Sequence, residues 1–565
     1  MLLASKHWKD LIRFILLLLV AGCSPVSFAA NPGYVSESGQ FLTPVSLVSA
    51  PVQQSATPCT GGFVSQTLDH ITTPSTPEIH QFESNGTGVA INDLNRDGLL
   101  DIVLANLKGP SSIFWNQGGF VFEKQALQDM GARAVNIVDV DGDGWQDIIF
   151  THITVGPSYW HNTASLDAAG KAIFKHSYLP HVTHFAHSMA WADLNGDNTL
   201  DLVTGSYDAE LNQIPGGAFL FTDGAGVYLY TQEAGDFRSA RLAKNSQALA
   251  IALLDINQDG QTDILVGNDF DTPDQAWVNS QSGWQNAVPF ARTSQHTMSY
   301  DWGDIDNNGS YEFFATDMNP YQVDLDQLAQ WVPMMREMPH RLSNTDVQRP
   351  QNVLQVLGGD RRYQDEAGTR GVLASGWSWS GKFGDLNNDG FLDLYVVNGM
   401  IDVELFSYLP GGELVEANQA FVNLKNGSFA PAPAWELDDQ ASGRGMGLAD
   451  LNNDGRLDVV VNNLRSPALI FQNQICEGAS LQVELNWPDS NNTAAIGAQL
   501  RLYTSAGVLQ RDVRSGSGYL SGDPARIHFG FPTDAALSRL EILWPDGQVT
   551  QVDNLAANNL VKIQR

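Results

Sequence analysis

Between residues 60 and 475 the hydrophobic positions fall in short β-branched and aromatic runs, not at the spacing of an amphipathic helix. The runs are Ile102-Val103-Leu104, Ile148-Ile149-Phe150, Leu202-Val203, Ile264-Leu265-Val266, Phe313-Phe314, Leu394-Tyr395-Val396-Val397 and Val459-Val460-Val461. Each predicts a buried strand. Most are followed by a hairpin signature such as Phe114-Trp115-Asn116-Gln117-Gly118-Gly119-Phe120-Val121, or the stretch from Phe421 to Phe429.

The polar residues ahead of these runs form one nine-residue motif, repeated seven times at intervals of 46, 54, 62, 49, 81 and 65. Oxygen-bearing side chains stand at positions 1, 3, 5 and 9. They are Asp93, Asn95, Asp97 and Asp101; Asp139, Asp141, Asp143 and Asp147; Asp193, Asn195, Asp197 and Asp201; and Asp255, Asn257, Asp259 and Asp263. The last three sets are Asp304, Asp306, Asn308 and Glu312; Asp385, Asn387, Asp389 and Asp393; and Asp450, Asn452, Asp454 and Asp458. Calcium takes six to eight oxygen ligands, and a tight loop offers side chains at 1, 3 and 5 with a backbone carbonyl at 7. Glycine at position 6 permits the turn, and Asn198 replaces it in the third copy because asparagine also visits positive φ. An EF-hand would need a glutamate at position 12, where these copies carry Leu104, Phe150, Thr204, Val266, Ala315, Val396 and Val461. The motif therefore predicts up to seven structural Ca2+ ions outside an EF-hand.

A period near 50 residues with about four strands per copy predicts an all-β, seven-bladed β-propeller. Upstream of each motif a second regularity supports it. Five residues before the first aspartate stand Gly88, Ala134, Ser188, Ala250, Ser299, Ser380 and Gly445, and the residues seven before are equally small, as crowded strands at a propeller axis require. The position between is variable: Thr87, Arg133, His187, Leu249, Met298, Trp379 and Arg444. Arg133, His187, Met298, Trp377, Trp379 and Arg444 are the candidate ligand face at the channel mouth. For Trp377 and Trp379, apolar packing competes with stacking on sugar rings.

These loops resemble the FG-GAP or VCBS repeats of integrin α-like propellers, over roughly residues 60 to 475. After Cys476 the acidic motif stops. The alternating segments Leu481 to Trp487 and Leu540 to Trp544 predict a small β-sandwich. Its landmarks Ile496-Gly497-Ala498, Gly516-Ser517-Gly518-Tyr519-Leu520-Ser521, His528-Phe529-Gly530 and Trp544-Pro545-Asp546-Gly547 resemble the ASPIC/UnbV domain. With Asn268-Asp269-Phe270-Asp271 and Gly376-Trp377-Ser378-Trp379, the whole chain resembles the bacterial relatives of cartilage acidic protein. That resemblance implies an extracellular, calcium-loaded protein and brings no settled activity.

The chain starts with Lys6, Lys9 and Arg13 and then the run Phe14 to Val20, too short for a spanning helix. Val20-Ala21-Gly22-Cys23 resembles a lipobox, which makes residues 1–22 a lipoprotein signal peptide and Cys23 the lipidated residue; ordinary cleavage near Ser27-Phe28-Ala29 is the competing reading. Residues 23–59 read as a flexible tether, 60–476 as the propeller and 477–565 as the C-terminal domain. Cys59 and Cys476 remain as an even pair, and in an oxidising compartment a disulfide between them would join the ends of the repeat region; two free thiols are the alternative.

Two further clusters stand out. His176, His181, His184 and His187 suggest blade packing over a transition-metal site, and Leu325, Leu328, Trp331 and Met335 are partly at helical spacing. The longest interval, which also holds Met318, Met334, Met338 and His340, predicts an inserted helical cap packing over the propeller in preference to a soft-metal site.

Asp and Glu number 63 against 31 Lys and Arg, a formal charge of −32, which argues against nucleic acid as a partner. Of those acids 22 lie at the loop positions above, so much of the charge reads as cation ligation. The functional expectation is an exported, lipid-anchored binding or adhesion scaffold for a glycan, protein or matrix partner, held at the outer membrane or cell surface by lipid alone. The alternative is an enzyme acting on polysaccharide or sugar, lyase- or dehydratase-like, at the channel mouth.

Overall fold

The computed structural model describes residues 43–52, 59–211, 225–337 and 346–565. The chain is all-β, with one longer helix among its strands. Among the described residues, seven antiparallel sheets follow one another along the chain, each holding one acidic loop between its first and second strands. The second strands begin at Asp101, Asp147, Asp201, Asp263, Glu312, Asp393 and Asp458, so motif position 9 is always the first residue of a strand. The apolar run behind it is buried because neighbouring sheets cover both faces, which is why it lacks strand-type alternation.

The first strands are Val89–Asn92, Ala132–Val138, Ser188–Ala192, Ala248–Leu254, Ser299–Gly303, Gly376–Gly384 and Gly443–Ala449. Each lies against the next, and the seventh lies against the first. The hydrophobic core sits between successive sheets. Val459, Val461 and Phe471 of the seventh sheet, for example, join Tyr395 and Val397 of the sixth.

The seventh sheet is completed from the other end of the chain. Phe63–Ile71 pairs antiparallel with Pro467–Asn473. Beside this pairing Cys59 and Cys476 form a disulfide with a sequence separation of 417, as the cysteine count suggested. The inserted helix is present as Leu325–Glu337. Met338 and His340 lie outside the described residues.

The C-terminal part forms two four-stranded sheets. One contains Gly478–Asn486, Ile527–Pro532 and Asn559–Gln564, the other Gln499–Thr504, Gly507–Asp512, Leu537–Leu543 and Val549–Asp553. Leu481, Val483, Leu500, Leu502, Leu540 and Ile542 share one core. The fourth strand of the first sheet is Ser46–Pro51, paired with Asn559–Gln564. This corrects the expectation of a flexible tether through residue 59. Its six residues are all exposed, so the strand is held mainly by backbone pairing, with the Ser49 hydroxyl donating to Asn559 Oδ1 at 3.2 Å, and leaves no hydrophobic signal to read. Residues 1–22 and Cys23 lie outside the described residues. No helix among the described residues is long and apolar enough to cross a membrane.

Candidate metal loops and a filled axis

The seven loops share one hydrogen-bond plan. The position-1 carboxylate accepts the backbone N–H of position 6 in every copy, from 2.6 Å at Asp450 to 2.9 Å at Asp93. The position-9 carboxylate accepts the N–H of position 2, for example Leu94 to Asp101 at 3.1 Å and Leu451 to Asp458 at 2.9 Å. Gly98, Gly144, Gly260, Gly309, Gly390 and Gly455 have φ between 86° and 96°, and Asn198 has 64°, so the tolerated exception behaves as expected.

The electrostatics of these loops are those of buried, mutually repelling carboxyls. Burial pushes the carboxyls of Asp93, Asp139, Asp255, Asp304 and Asp450 up to about 6, with neighbouring loop acids adding to the shift. Asp201, Asp263 and Asp385 rise to about 7, Asp147 to about 8 and Glu312 to about 9, by the same two causes in that order. Buried, crowded carboxylates of this kind are paired or coordinate metals. The oxygens of Asp139, Asp141 and Asp143, and those of Asp304, Asp306 and Glu312, lie within 4.8 Å of one another. Asp93 Oδ1, Asp306 Oδ1 and Glu312 Oε1 are buried acceptors with no donor. The motif side chains offer oxygen at positions 1, 3, 5 and 9, which fits a hard divalent ion. In the second copy His161 adds a nitrogen, with Nδ1 at 3.4 Å from both Asp141 and Asp147.

The sequence reading missed the residues that tie one loop to the next. At the end of the third strand in six sheets an Asn or Gln donates its backbone N–H to the position-9 carboxylate: Asn116, Asn162, Gln232, Asn279, Asn423 and Asn473, at 2.7 to 2.9 Å. Its side-chain amide then donates to the position-2 carbonyl of the preceding sheet. Asn162 reaches Leu94, Gln232 reaches Val140, Asn279 reaches Leu194, Asn423 reaches Ile305 and Asn473 reaches Leu386. Asn116 reaches Leu451 of the seventh sheet at 2.7 Å. In the fifth sheet the Tyr363 hydroxyl reaches Ile256 instead, at 3.4 Å. The signal was present in the hairpin signatures, where Asn116 and Asn423 follow an aromatic or apolar run.

The candidate ligand face is not a surface. Arg133, His187, Met298, Trp377, Trp379 and Arg444 are all 5% exposed or less. Irregular pairing in the first strands skips Arg133, Leu249, Trp379 and Arg444, and such bulges re-aim side chains, here toward the axis. The space they face is filled by the C-terminal domain, whose strands Gly516–Ser517 and Ser521–Gly522 join the first sheet. Gly518 N–H donates to Tyr300 O at 2.7 Å, Val135 N–H to Leu520 O at 3.1 Å, and Tyr519 N–H to the Ser380 hydroxyl at 3.1 Å. The small residues expected at the axis serve this approach: a Cβ on Gly88 would stand 1.8 Å from Leu520 O. Arg514 secures the hairpin through Asp301 at 2.9 Å and Asp523 at 3.0 Å.

The C-terminal domain also grips the loops. Thr493 donates to Asp139, Gln482 to Asp450, Arg526 to Gly98 O and Asn492 N–H to Asn198 O. On the helix side, Arg133 pairs with Glu210 at 2.5 Å, and Trp331 of the helix Leu325–Glu337 donates to Glu416 at 3.0 Å. Trp377 packs against Trp331 and Phe406, and Trp379 donates to Gly399 O at 2.8 Å beneath Arg444, so both tryptophans are packing residues here. The histidine group is drawn apart: His181 bonds Asp236, His184 bonds Tyr230 and stacks on Tyr228, His176 packs on Trp160, and His187 stands at the axis.

Comparison with known proteins matches this architecture. The family model for FG-GAP-like repeats matches residues 93–150, 139–204 and 399–461, and that for ASPIC and UnbV matches 482–565. Cartilage acidic protein 1 of Mus musculus is 23% identical over 585 residues, covering 92% of this chain and 79% of that protein. The Homo sapiens protein of the same name is 33% identical over 123 residues, 21% of this chain and 18% of its own. Among solved structures, a crystal structure of BBS1N in complex with ARL6DN covers 71% of this chain and 96% of its own at 9% identity, with a TM-score of 0.35, a likeness too loose to carry an argument. The chain thus carries FG-GAP-like repeats followed by an ASPIC/UnbV domain and is homologous, over 92% of its length, to cartilage acidic protein 1.

Proposed function

We propose that this chain is a calcium-stabilised, seven-bladed β-propeller scaffold with a β-sandwich at its C-terminus, exported, anchored through a lipid on Cys23, and built to bind a partner. The observation that carries the reading is the shared loop plan: seven oxygen-lined loops at one edge of seven sheets, each clasped to its neighbour. The closed order of first strands supports a wheel. The two packed sheets after Cys476 support the sandwich. Each ion would be held by side chains at positions 1, 3, 5 and 9, and its charge would relieve the crowding of buried acids.

Because the C-terminal domain covers the loop side, the partner surface is placed on the side of the helix Leu325–Glu337. There a cleft of about 280 Å³ is lined by polar groups including Gln322, Asp326, Gln327, Gln330 and Gln419, with Tyr321 at its wall. Amides, carboxylates and one aromatic ring suit a hydroxyl-rich ligand, so a glycan is the favoured class. The enzyme alternative sets its site at the channel mouth, where the ring residues Arg133, His187, Trp379 and Arg444 are buried. A glycan screen with the soluble form starting at residue 24 tests the reading: saturable binding weakened by Gln327→Ala is expected. Turnover of a glycan without stable binding would replace the scaffold by the enzyme.

A further inference from the structure

The buried polar groups at the axis do not balance. Arg444 is fully buried, and among the described residues no carboxylate pairs with it. Its Nε donates to Ser84 O at 2.6 Å, and its Nη1 donates to Gly399 O, Gly443 O and the Ser442 hydroxyl. Its Nη2 has no acceptor. The guanidinium lies 4.2 Å over the Trp379 ring, and the Tyr519 ring lies 5.2 Å from the same tryptophan. The Tyr519 hydroxyl is buried and also has no partner. The His187 ring is 6.4 Å from that of Tyr519, and neither of its nitrogens is bonded; Glu210 Oε2 stands 3.7 Å from its Nδ1, beyond hydrogen-bond reach.

The acids that could neutralise Arg444 are engaged elsewhere. Glu413 pairs with Arg465 at 2.5 Å, Glu210 pairs with Arg133, and Glu416 accepts from Gln327, Trp331 and the Trp377 backbone. Burial lowers the Arg444 guanidinium only to about 9, so it is still charged at neutral pH. A buried charge without a counter-ion is costly, and so is a buried donor left unpaired. Water would satisfy the donors but leave the charge.

We propose that the axis holds a small monovalent anion of the halide class, bound by Arg444 Nη2 and the Tyr519 hydroxyl, with His187 facing it. One unmatched positive charge calls for one negative charge. The Arg444 side chain is closely packed, a Cβ on Gly86 standing 2.5 Å from its Cγ, which holds the guanidinium in place. The anion would lock the C-terminal hairpin to the sixth and seventh sheets, independently of any calcium in the loops.

The test is halide retention. The purified soluble chain is dialysed exhaustively from chloride into gluconate, then unfolded, and halide is measured by ion chromatography. A stoichiometric amount released only on unfolding is expected, and Tyr519→Phe, which removes one hydroxyl, should lower it several-fold. Crystals grown in bromide should show an anomalous peak beside Arg444 and Tyr519. Absence of stoichiometric halide in the folded wild-type protein would overturn the proposal, as would a bromide peak only elsewhere. Unchanged retention in a folded Tyr519→Phe protein would overturn the donor set.

Discussion

Gly88→Ala tests whether the C-terminal hairpin enters the axis. Gly88 does not need glycine for its own backbone, since its φ is not among the positive values. The added methyl would instead stand 1.8 Å from Leu520 O and 2.6 Å from its carbonyl carbon. Restoring van der Waals separation requires a shift of about 1.5 Å. Neither side yields easily. Gly88 N–H donates to Arg133 O at 2.9 Å, and Leu520 O holds Val135 N–H at 3.1 Å. Overpacking costs about 1–3 kcal/mol, and freeing the Val135 donor about 1–3 kcal/mol more. Taking about 3 kcal/mol for the sum, opening of the hairpin should become roughly 100-fold more frequent. Hydrogen exchange read by mass spectrometry on peptides covering 516–522 and Val135 measures it. Gly359→Ala is the control, because a Cβ there meets nothing within 4 Å. Equal protection of 516–522 in wild type and Gly88→Ala would refute the insertion.

Four other consequences are open to measurement. Burial raises the carboxyls of Asp139 and Asp147 from 3.8 to about 6 and about 8, so in chelator they favour the fold below pH 4 and lose that contribution as pH rises through 6 to 8. Melting temperature in chelator should therefore fall from pH 5 to pH 8 and that in calcium should not; parallel curves would contradict the loop assignment. Cys476→Ser should cost about 2–5 kcal/mol and free Phe63–Ile71 to proteolysis, and an uncut, equally stable protein would show the bridge to be redundant. Cys23→Ser should release the protein from membranes, and retention would remove the lipid anchor. Gln482→Ala, which removes a donor to Asp450, should weaken docking of the C-terminal domain and raise exchange along Gly478–Asn486; unchanged exchange there would detach that contact from docking.

What could be read in the sequence was what is encoded locally. The acidic loops lie within nine residues and recur seven times, so their spacing, the strand behind each and the glycine turn were all legible. The helix at 325–337 followed from Leu325, Leu328, Trp331 and Met335. Contacts between distant parts of the chain were not legible. Arg133, His187, Trp379 and Arg444 share one variable position upstream of the loops, but their burial involves Tyr519 and Leu520, which arrive from a different domain. Ser46–Pro51 buries no apolar face, and its place beside Asn559–Gln564 is set by backbone pairing and one hydroxyl bond, from Ser49 to Asn559. The asparagine clasps fall between these cases. Asn116 and Asn473 occur at the same offset from position 9, but Gln232 and Asn423 lie beyond longer connections that hide the register.

The central claim is that the acids of the seven loops hold calcium. Elemental analysis of the chain, equilibrated with calcium and freed of excess by gel filtration, measures this directly. Calcium approaching seven ions per chain is expected, lost to chelator together with a sharp fall in melting temperature. A protein that carries no stoichiometric calcium and melts identically with and without chelator would contradict it.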